Sequence, residues 1–149
     1  MKLIPAGIEN FKEMIDKNAY YVDKTNLIID VLNEQVVFCT RPRRFSKTLN
    51  MSMLYYFFSI KEKENAYLFD YLNISKNKNA LKDQNKYPTI FISLKDMTKS
   101  SYEKQMNRFK EVICLCAKNF LELLNSDILL DSEKKLFQKY VDNETEDNE

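Results

Sequence analysis

The stretch V-V-F-C-T-R-P-R-R-F-S-K-T, residues 36–48, decides which fold this chain is expected to have. Its first five residues are apolar or β-branched, a composition that predicts a strand buried on both faces, as in a parallel sheet. A basic loop follows, and a helical pattern starts at the Lys-Thr pair. A strand, a loop and a Lys-Thr pair in this order are typical of a phosphate-binding loop.

The end of the loop carries the two side chains that such a site needs. Lys47 would contact the β- and γ-phosphate oxygens of a nucleotide, and the Thr48 hydroxyl would ligate Mg²⁺. The N-terminus of the following helix adds partial positive charge and N–H donors for an anion. The motif has glycine where this chain has Arg41 and Ser46. A Cβ at position 46 predicts crowding of the phosphates, or a strained backbone that costs about 1–3 kcal/mol.

Two other interpretations of the loop stay open at this point. Ser46 could be only a helix cap, whose hydroxyl oxygen accepts hydrogen bonds from first-turn N–H groups. Arg41, Arg43 and Arg44 would then form a solvated basic turn, or they would contact the phosphates of DNA or RNA. Nucleic acid is the partner with the least support, because the chain has no nucleic-acid fold signature and no interleaving of basic and aromatic residues.

The rest of the chain is predicted to be mainly helical. Asp23 is expected to cap the second helix, and Ser100 or Ser101 the fourth. Apolar residues recur at helical spacing in five segments: residues 8–16, 24–33, 47–60, 101–124 and 131–140. Residues 89–94 predict a second strand. Strands separated by helices favour right-handed crossovers, so the expected fold class is α/β, with an incomplete parallel sheet flanked by helices.

Composition limits the possible functions. The absence of histidine excludes histidine-based catalytic triads, HExxH zinc sites and Cys₂His₂ zinc fingers. Cys39, Cys114 and Cys116 show no disulfide framework, which suits a reducing compartment, so we expect a cytoplasmic protein. No apolar run is long enough to span a bilayer. Five acids without a base after residue 141 predict a domain over residues 1–141 and a disordered acidic tail over 142–149.

Three motifs in order give the chain a specific resemblance. I-P-A-G-I-E-N-F at residues 4–11, Y-Y-V-D-K-T at 20–25 and R-P-R-R-F-S-K-T-L-N-M-S-M-L at 41–54 resemble the N-terminal part of the bacterial AAA-ATPase-like family. The segment 87–96 is similar to the next strand of that family. The resemblance implies a P-loop NTPase fold, often followed by a PD-(D/E)xK nuclease-like domain. It implies ATP and Mg²⁺ as ligands.

Carried over by position, the resemblance implies a role for each loop residue. Lys47 would be the phosphate lysine and Thr48 the Mg²⁺ ligand. The other nucleotide-binding positions would be Arg41, Arg43, Arg44, Phe45 and Ser46. No role follows for the Asp23-Lys24-Thr25 segment.

Two departures from the family pattern lower the expected activity. Ser46 replaces the loop glycine, and the strand that ends in the Walker B acids is absent; the nearest acid, Asp96, belongs by position to an earlier strand. Without that acid, Mg²⁺ is poorly held and the attacking water is not oriented. We therefore expect a degenerate or truncated nucleotide-binding domain that hydrolyses ATP only when a missing C-terminal domain or partner chain completes it. A non-enzymatic interaction module with an open sheet edge is the alternative.

Overall fold

The computed structural model describes residues 2–40, 42, 45–94 and 101–142. The chain divides into two compact units, Met1–Phe91 and Ile92–Glu149. The described residues form five α-helices and four 3₁₀ segments. In chain order they are α1 (Phe11–Asp16), α2 (Leu27–Asn33), α3 (Lys47–Phe58), 3₁₀ segments Ile60–Phe69, Asn73–Lys76 and Ala80–Asp83, α4 (Tyr102–Lys118), 3₁₀ segment Leu121–Asn125, and α5 (Asp131–Asp142).

The predicted parallel sheet is wrong for the described part of the chain. Residues 36–40 and 89–94 run without regular structure, and the β-pairing consists of two isolated parallel bridges, Leu3 with Ala19 and Ser59 with Tyr87. Val36 is 70% exposed and Phe38 86% exposed, so this run is not buried on both faces. The apolar, β-branched composition of a run indicates only that its side chains prefer to be buried. A strand also needs a neighbouring backbone, and no described segment pairs with either run.

The first unit is built around α1 and α3. Asn10 caps α1, because its Oδ1 accepts a hydrogen bond from the N–H of Glu13 at 3.0 Å. Phe11 then enters the core, where its ring stacks on Phe69 with centroids 5.2 Å apart. Phe57 of α3 meets Phe69 edge-on, also at 5.2 Å. All three rings are buried, so they fix α1, α3 and the Ile60–Phe69 segment to one another.

The last turn of α3 is closed by an asparagine from later in the chain. Asn85 takes a positive φ of 54°, which asparagine tolerates better than most residues. Its side-chain amide donates to the carbonyls of Tyr56 at 3.0 Å and Ser59 at 2.8 Å. These bonds satisfy carbonyl groups that a helix end leaves without partners. The end of α3 is therefore capped by a side chain from later in the chain.

The second unit is described by α4 and α5, which pack on each other. Ser101 caps α4, accepting a hydrogen bond from the N–H of Lys104 at 3.4 Å; the alternative cap, Ser100, lies outside the described residues. Cys114 is buried and donates its thiol hydrogen to the carbonyl of Val141 at 3.1 Å. The α-helix ends at Lys118, and a 3₁₀ segment covers the last turns of the predicted helix. No helix in the described ranges is long and apolar enough to cross a membrane.

Candidate functional site

Ser46 has the backbone conformation that the loop motif normally obtains from glycine. It is the N-cap of α3 and lies in the left-handed region, at φ 57° and ψ 26°. The other described non-glycine residues with positive φ are Asn18 and Asn85, both of the type that tolerates it. For a residue with a Cβ this region costs about 1–2 kcal/mol, whereas glycine enters it freely. The strained backbone expected at position 46 is therefore present.

The interpretation of Ser46 as a side-chain cap is wrong. Its side chain makes no capping hydrogen bond to α3. Only its carbonyl takes part in the helix, accepting the N–H of Asn50 at 2.9 Å. A serine in the extended conformation usual for an N-cap would bond a first-turn N–H. The left-handed backbone is incompatible with that arrangement, so the serine is strained without the usual compensation.

The two side chains after Ser46 are placed where a ligand can reach them. Lys47 and Thr48 are the first two residues of α3, and both are exposed. The N–H groups of a first helical turn have no acceptor within the helix, and the helix dipole adds partial positive charge there. Phe45, immediately before Ser46, is 55% exposed. An ammonium, a hydroxyl and an aromatic ring therefore lie at one accessible helix start.

The basic residues of the predicted site, Arg41, Arg43 and Arg44, lie outside the described residues, as does Asp96. The contiguous segment 45–48 is therefore the part of the predicted site that the structure locates. The alternative in which the arginines contact nucleic acid stays a prediction.

Asn50 is a polar residue of this helix start that the sequence analysis missed. It is 8% exposed, and its Oδ1 is the buried side-chain oxygen or nitrogen without a hydrogen-bond partner in the described part of the chain. Leaving a buried acceptor unsatisfied costs about 1–3 kcal/mol. The available signal was its spacing: Asn50 precedes Met53 by three residues and Phe57 by seven, and both are fully buried. A polar asparagine side chain on that apolar stripe is expected to have a hydrogen-bond partner, either in the chain or in a ligand.

A neighbouring buried polar residue of α3 shows the ordinary arrangement. Ser52 is also buried, but its Oγ accepts a hydrogen bond from the N–H of Phe11 at 3.0 Å. This bond joins the start of α1 to α3. The two residues differ in that Ser52 has an internal partner and Asn50 Oδ1 has none.

The segment around Asp23 is a structural clamp. Asp23 Oδ1 accepts hydrogen bonds from the N–H of Thr25 at 2.9 Å and from its hydroxyl at 2.7 Å, while Oδ2 accepts from the N–H of Asn73 at 2.7 Å. Thr25 Oγ1 in turn accepts from the N–H of Ile74 at 3.1 Å. We call these four residues the Asp23 clamp. It ties the chain before α2 to the start of the Asn73–Lys76 segment.

The clamp corrects the expected role of Asp23. The helix predicted to follow it begins at Leu27 with Asn26 as its N-cap, so Asp23 does not cap α2. Partial burial opposes ionisation of the carboxyl group, but the hydrogen bonds from Thr25 and Asn73 and the charge of Lys76 outweigh it, so the pKa of Asp23 is lowered. The clamp therefore contributes to the packing of the chain before α2 on the Asn73–Lys76 segment.

The family to which the chain belongs follows from its similarity to known protein families. A family described as predicted AAA-ATPase matches residues 5–148. This chain belongs to the AAA-ATPase-like family. No curated protein and no solved structure matches it significantly. The resemblance inferred from the three motifs is confirmed over nearly the whole chain, and a nuclease-like domain is not shown.

The oxygen donors at the start of α3 suit the metal that accompanies ATP in the AAA-ATPase-like family. Mg²⁺ prefers oxygen ligands and is usually held by one or two protein groups together with phosphates and water. The described residues contain no group of three or more His, Cys, Asp or Glu side chains arranged to hold a metal by themselves. Thr48 is exposed at the helix start, so its hydroxyl is the oxygen that would ligate an ion arriving with its nucleotide.

Proposed function

We propose that this AAA-ATPase-like chain binds ATP with Mg²⁺ at the start of α3 and does not hydrolyse it by itself. The observation that carries the proposal is the left-handed backbone of Ser46 immediately before Lys47 and Thr48. A chain that keeps a glycine-type conformation despite a Cβ has a reason to hold its backbone in that path. Strained residues of this kind concentrate at ligand-binding sites.

Each residue of the loop has a role in this proposal. Lys47 bonds β- and γ-phosphate oxygens, and Thr48 ligates the metal. The first-turn N–H groups of α3 and its dipole favour the phosphate charge. Arg41, Arg43 and Arg44 add positive charge around the phosphates, and Phe45 and Ser46 shape the backbone approach. Membership of a family described as predicted AAA-ATPase supports ATP as the nucleotide.

The proposed lack of turnover follows from the acids. Hydrolysis needs a carboxylate that helps to hold Mg²⁺ and a group that orients the attacking water. The described residues contain no group of three or more His, Cys, Asp or Glu side chains that could hold a metal, and the sequence shows no apolar strand that ends in the Walker B acids. We infer that a further domain or a partner chain supplies the missing acid when the chain takes part in hydrolysis.

Calorimetric titration with Mg·ATP tests the binding. We expect weak binding by the wild-type chain, with Kd in the range of about 0.1–1 mM given the strain at Ser46. Lys47→Ala should weaken it about tenfold or more through loss of charge-assisted bonds to phosphate. Lys63→Ala is the matched control, because Lys63 is an exposed lysine of the Ile60–Phe69 segment. No heat at millimolar Mg·ATP, from either the wild type or Ser46→Gly, would overturn the proposal.

A second candidate function, an interaction module, is favoured by the exposed apolar segments. Phe38 is 86% exposed and Ile90 64% exposed, and both lie in runs with strand-forming composition. Exposed apolar residues that lie close together mark surfaces that other proteins bind. Sedimentation of the wild type beside Phe38→Lys tests this function. A wild type that stays monomeric at about 100 µM, with unchanged behaviour of the variant, would contradict self-association.

A further inference from the structure

The carboxamide of Asn50 is placed to serve the start of α3. Asn50 is the fourth residue of the twelve-residue helix and is more than nine-tenths buried. Side chains in an α-helix lean toward the helix N-terminus, so we expect the carboxamide to lean toward the turn that contains Ser46 and Lys47. Its Oδ1 has no hydrogen-bond partner in the described chain. An unpaired hydrogen-bond acceptor, Asn50 Oδ1, therefore lies one helical turn after the strained residue Ser46 in the described part of the chain.

A buried acceptor of this kind has an identifiable complement. The phosphate groups of a nucleotide offer only acceptors, so they cannot satisfy Oδ1. Two parts of a Mg·nucleotide do carry donors: the water molecules that Mg²⁺ retains, and the hydroxyl and amino groups of the nucleoside. The chemistry that both share is a hydrogen-bond donor delivered to the helix start with the phosphates.

We propose that Asn50 Oδ1 accepts a hydrogen bond from a donor that arrives with the bound Mg·nucleotide. The proposal rests on the proposed function and assigns one further residue to that site. In the free protein the acceptor is unsatisfied and lowers stability. In the complex it is paired, so Asn50 exchanges stability of the free chain for affinity.

This exchange gives Asn50 an unusual combination of effects. Asn50→Leu removes the unsatisfied oxygen at nearly constant volume, and an apolar side chain suits the stripe with Met53 and Phe57. We expect the variant to melt a few degrees above the wild type and to bind Mg·ATP about tenfold more weakly. Asn50→Ala removes the same oxygen without the risk of overpacking. It serves as the second variant if the leucine does not fit.

The matched control is the other buried polar residue of the same helix. Ser52→Ala removes a hydroxyl oxygen that already accepts the N–H of Phe11. We expect this variant to melt at a lower temperature and to bind Mg·ATP with the affinity of the wild type. Opposite signs for Ser52 and Asn50 would separate a residue that holds the fold from one that serves the ligand.

Three probes identify the source of the donor by calorimetry of the wild type and Asn50→Leu. Magnesium tripolyphosphate carries the hydrated ion without a nucleoside, and ATP with EDTA carries the nucleoside without the ion. Weakening by the variant with Mg·ATP and magnesium tripolyphosphate assigns the donor to metal-bound water. Weakening with Mg·ATP and ATP–EDTA assigns it to the nucleoside.

Three further outcomes would overturn the assignment and can be told apart. If the wild type binds Mg·ATP and Asn50→Leu and Asn50→Ala bind it equally well, Asn50 has no role while the proposed function stands. If the wild type binds none of the three probes, the proposed function fails and the role of Asn50 fails with it. A melting temperature of Asn50→Leu well below that of the wild type, with unchanged affinity, would make Asn50 a structural residue only.

Discussion

The Asp23 clamp and the start of α3 belong to the same unit but treat their polar groups in opposite ways. In the clamp both oxygens of Asp23 and the hydroxyl of buried Thr25 accept hydrogen bonds from within the chain. At the start of α3, Ser46 is strained without a capping bond and Asn50 Oδ1 is buried without a donor. This contrast supports the proposal that a ligand completes the start of α3.

Of the changes proposed, disruption of the Asp23 clamp should lower the free energy of unfolding most. Asp23→Ala leaves the N–H groups of Thr25 and Asn73 and the Thr25 hydroxyl without their acceptor. We expect the free energy of unfolding in urea to fall by about 3 kcal/mol, since hydrogen bonds to charged groups are among the stronger ones. Asp30→Ala, at an exposed acid of α2, is the control and should change it by less than about 0.5 kcal/mol. Equal effects at both positions would remove the structural role of the clamp.

Lowering the pH should remove the stability that ionised Asp23 contributes to the fold. The folded-state pKa of Asp23 is lowered, so its ionisation stabilises the fold fully above the unfolded-state pKa of about 3.9. That contribution is lost as the pH falls through the lower, folded-state pKa. The difference in urea midpoint between wild type and Asp23→Asn should therefore shrink from pH 6 toward pH 2. A difference that stays constant over this range would show that the charge of Asp23 does not matter.

Relieving the backbone strain at Ser46 should increase both the stability of the chain and its affinity for nucleotide. Ser46→Gly accommodates a φ of 57° without a Cβ, and we expect a gain of about 1 kcal/mol in unfolding free energy with severalfold tighter Mg·ATP binding. Asn18→Gly is the matched control, because Asn18 has a φ of 47° but is a residue type that tolerates it. Its gain should be smaller and its nucleotide affinity unchanged. A loss of stability in Ser46→Gly would contradict the strain.

The smallest effect is expected at an exposed polar network of the same unit. The Tyr67 hydroxyl donates to Asp16 at 2.7 Å and accepts from Lys12 at 2.9 Å, and Lys12 pairs with Asp16 on α1. Water screens such contacts, so Tyr67→Phe should leave the urea midpoint within experimental error. A clear loss would show that surface contacts, and not only the buried clamp, hold α1 in place.

Helices were predictable here because their signal is local. Lys47 begins α3, as the periodicity indicated, and α5 begins at Asp131, one of the two starting residues that the sequence allowed, Asp131 or Ser132. The first two helices start about three residues later than predicted, at Phe11 and Leu27, and the fourth ends earlier. End positions depend on which residue finds a capping partner. Asn10 does so in the folded chain, whereas Asp23 is engaged by Asn73, 50 residues further along.

The sheet was not predictable for the opposite reason. Residues 36–40 have the composition of a buried strand, yet Val36 and Phe38 are exposed and no described segment pairs with them. A strand is a property of two backbones, and one sequence segment specifies only half of it. The error in the fold class therefore follows from treating burial propensity as evidence of pairing.

The family, the position of the Lys-Thr pair at a helix start and the strain expected at position 46 could all be predicted from the sequence. These depend on motif order and on the conformational cost of a Cβ, both local properties. Only the tertiary structure decided that Asp23 and Thr25 hold Asn73 and Ile74, and that Asn50 is buried without a donor. Partners and burial are set by which distant segments pack together, and one position in a sequence carries no direct record of that packing.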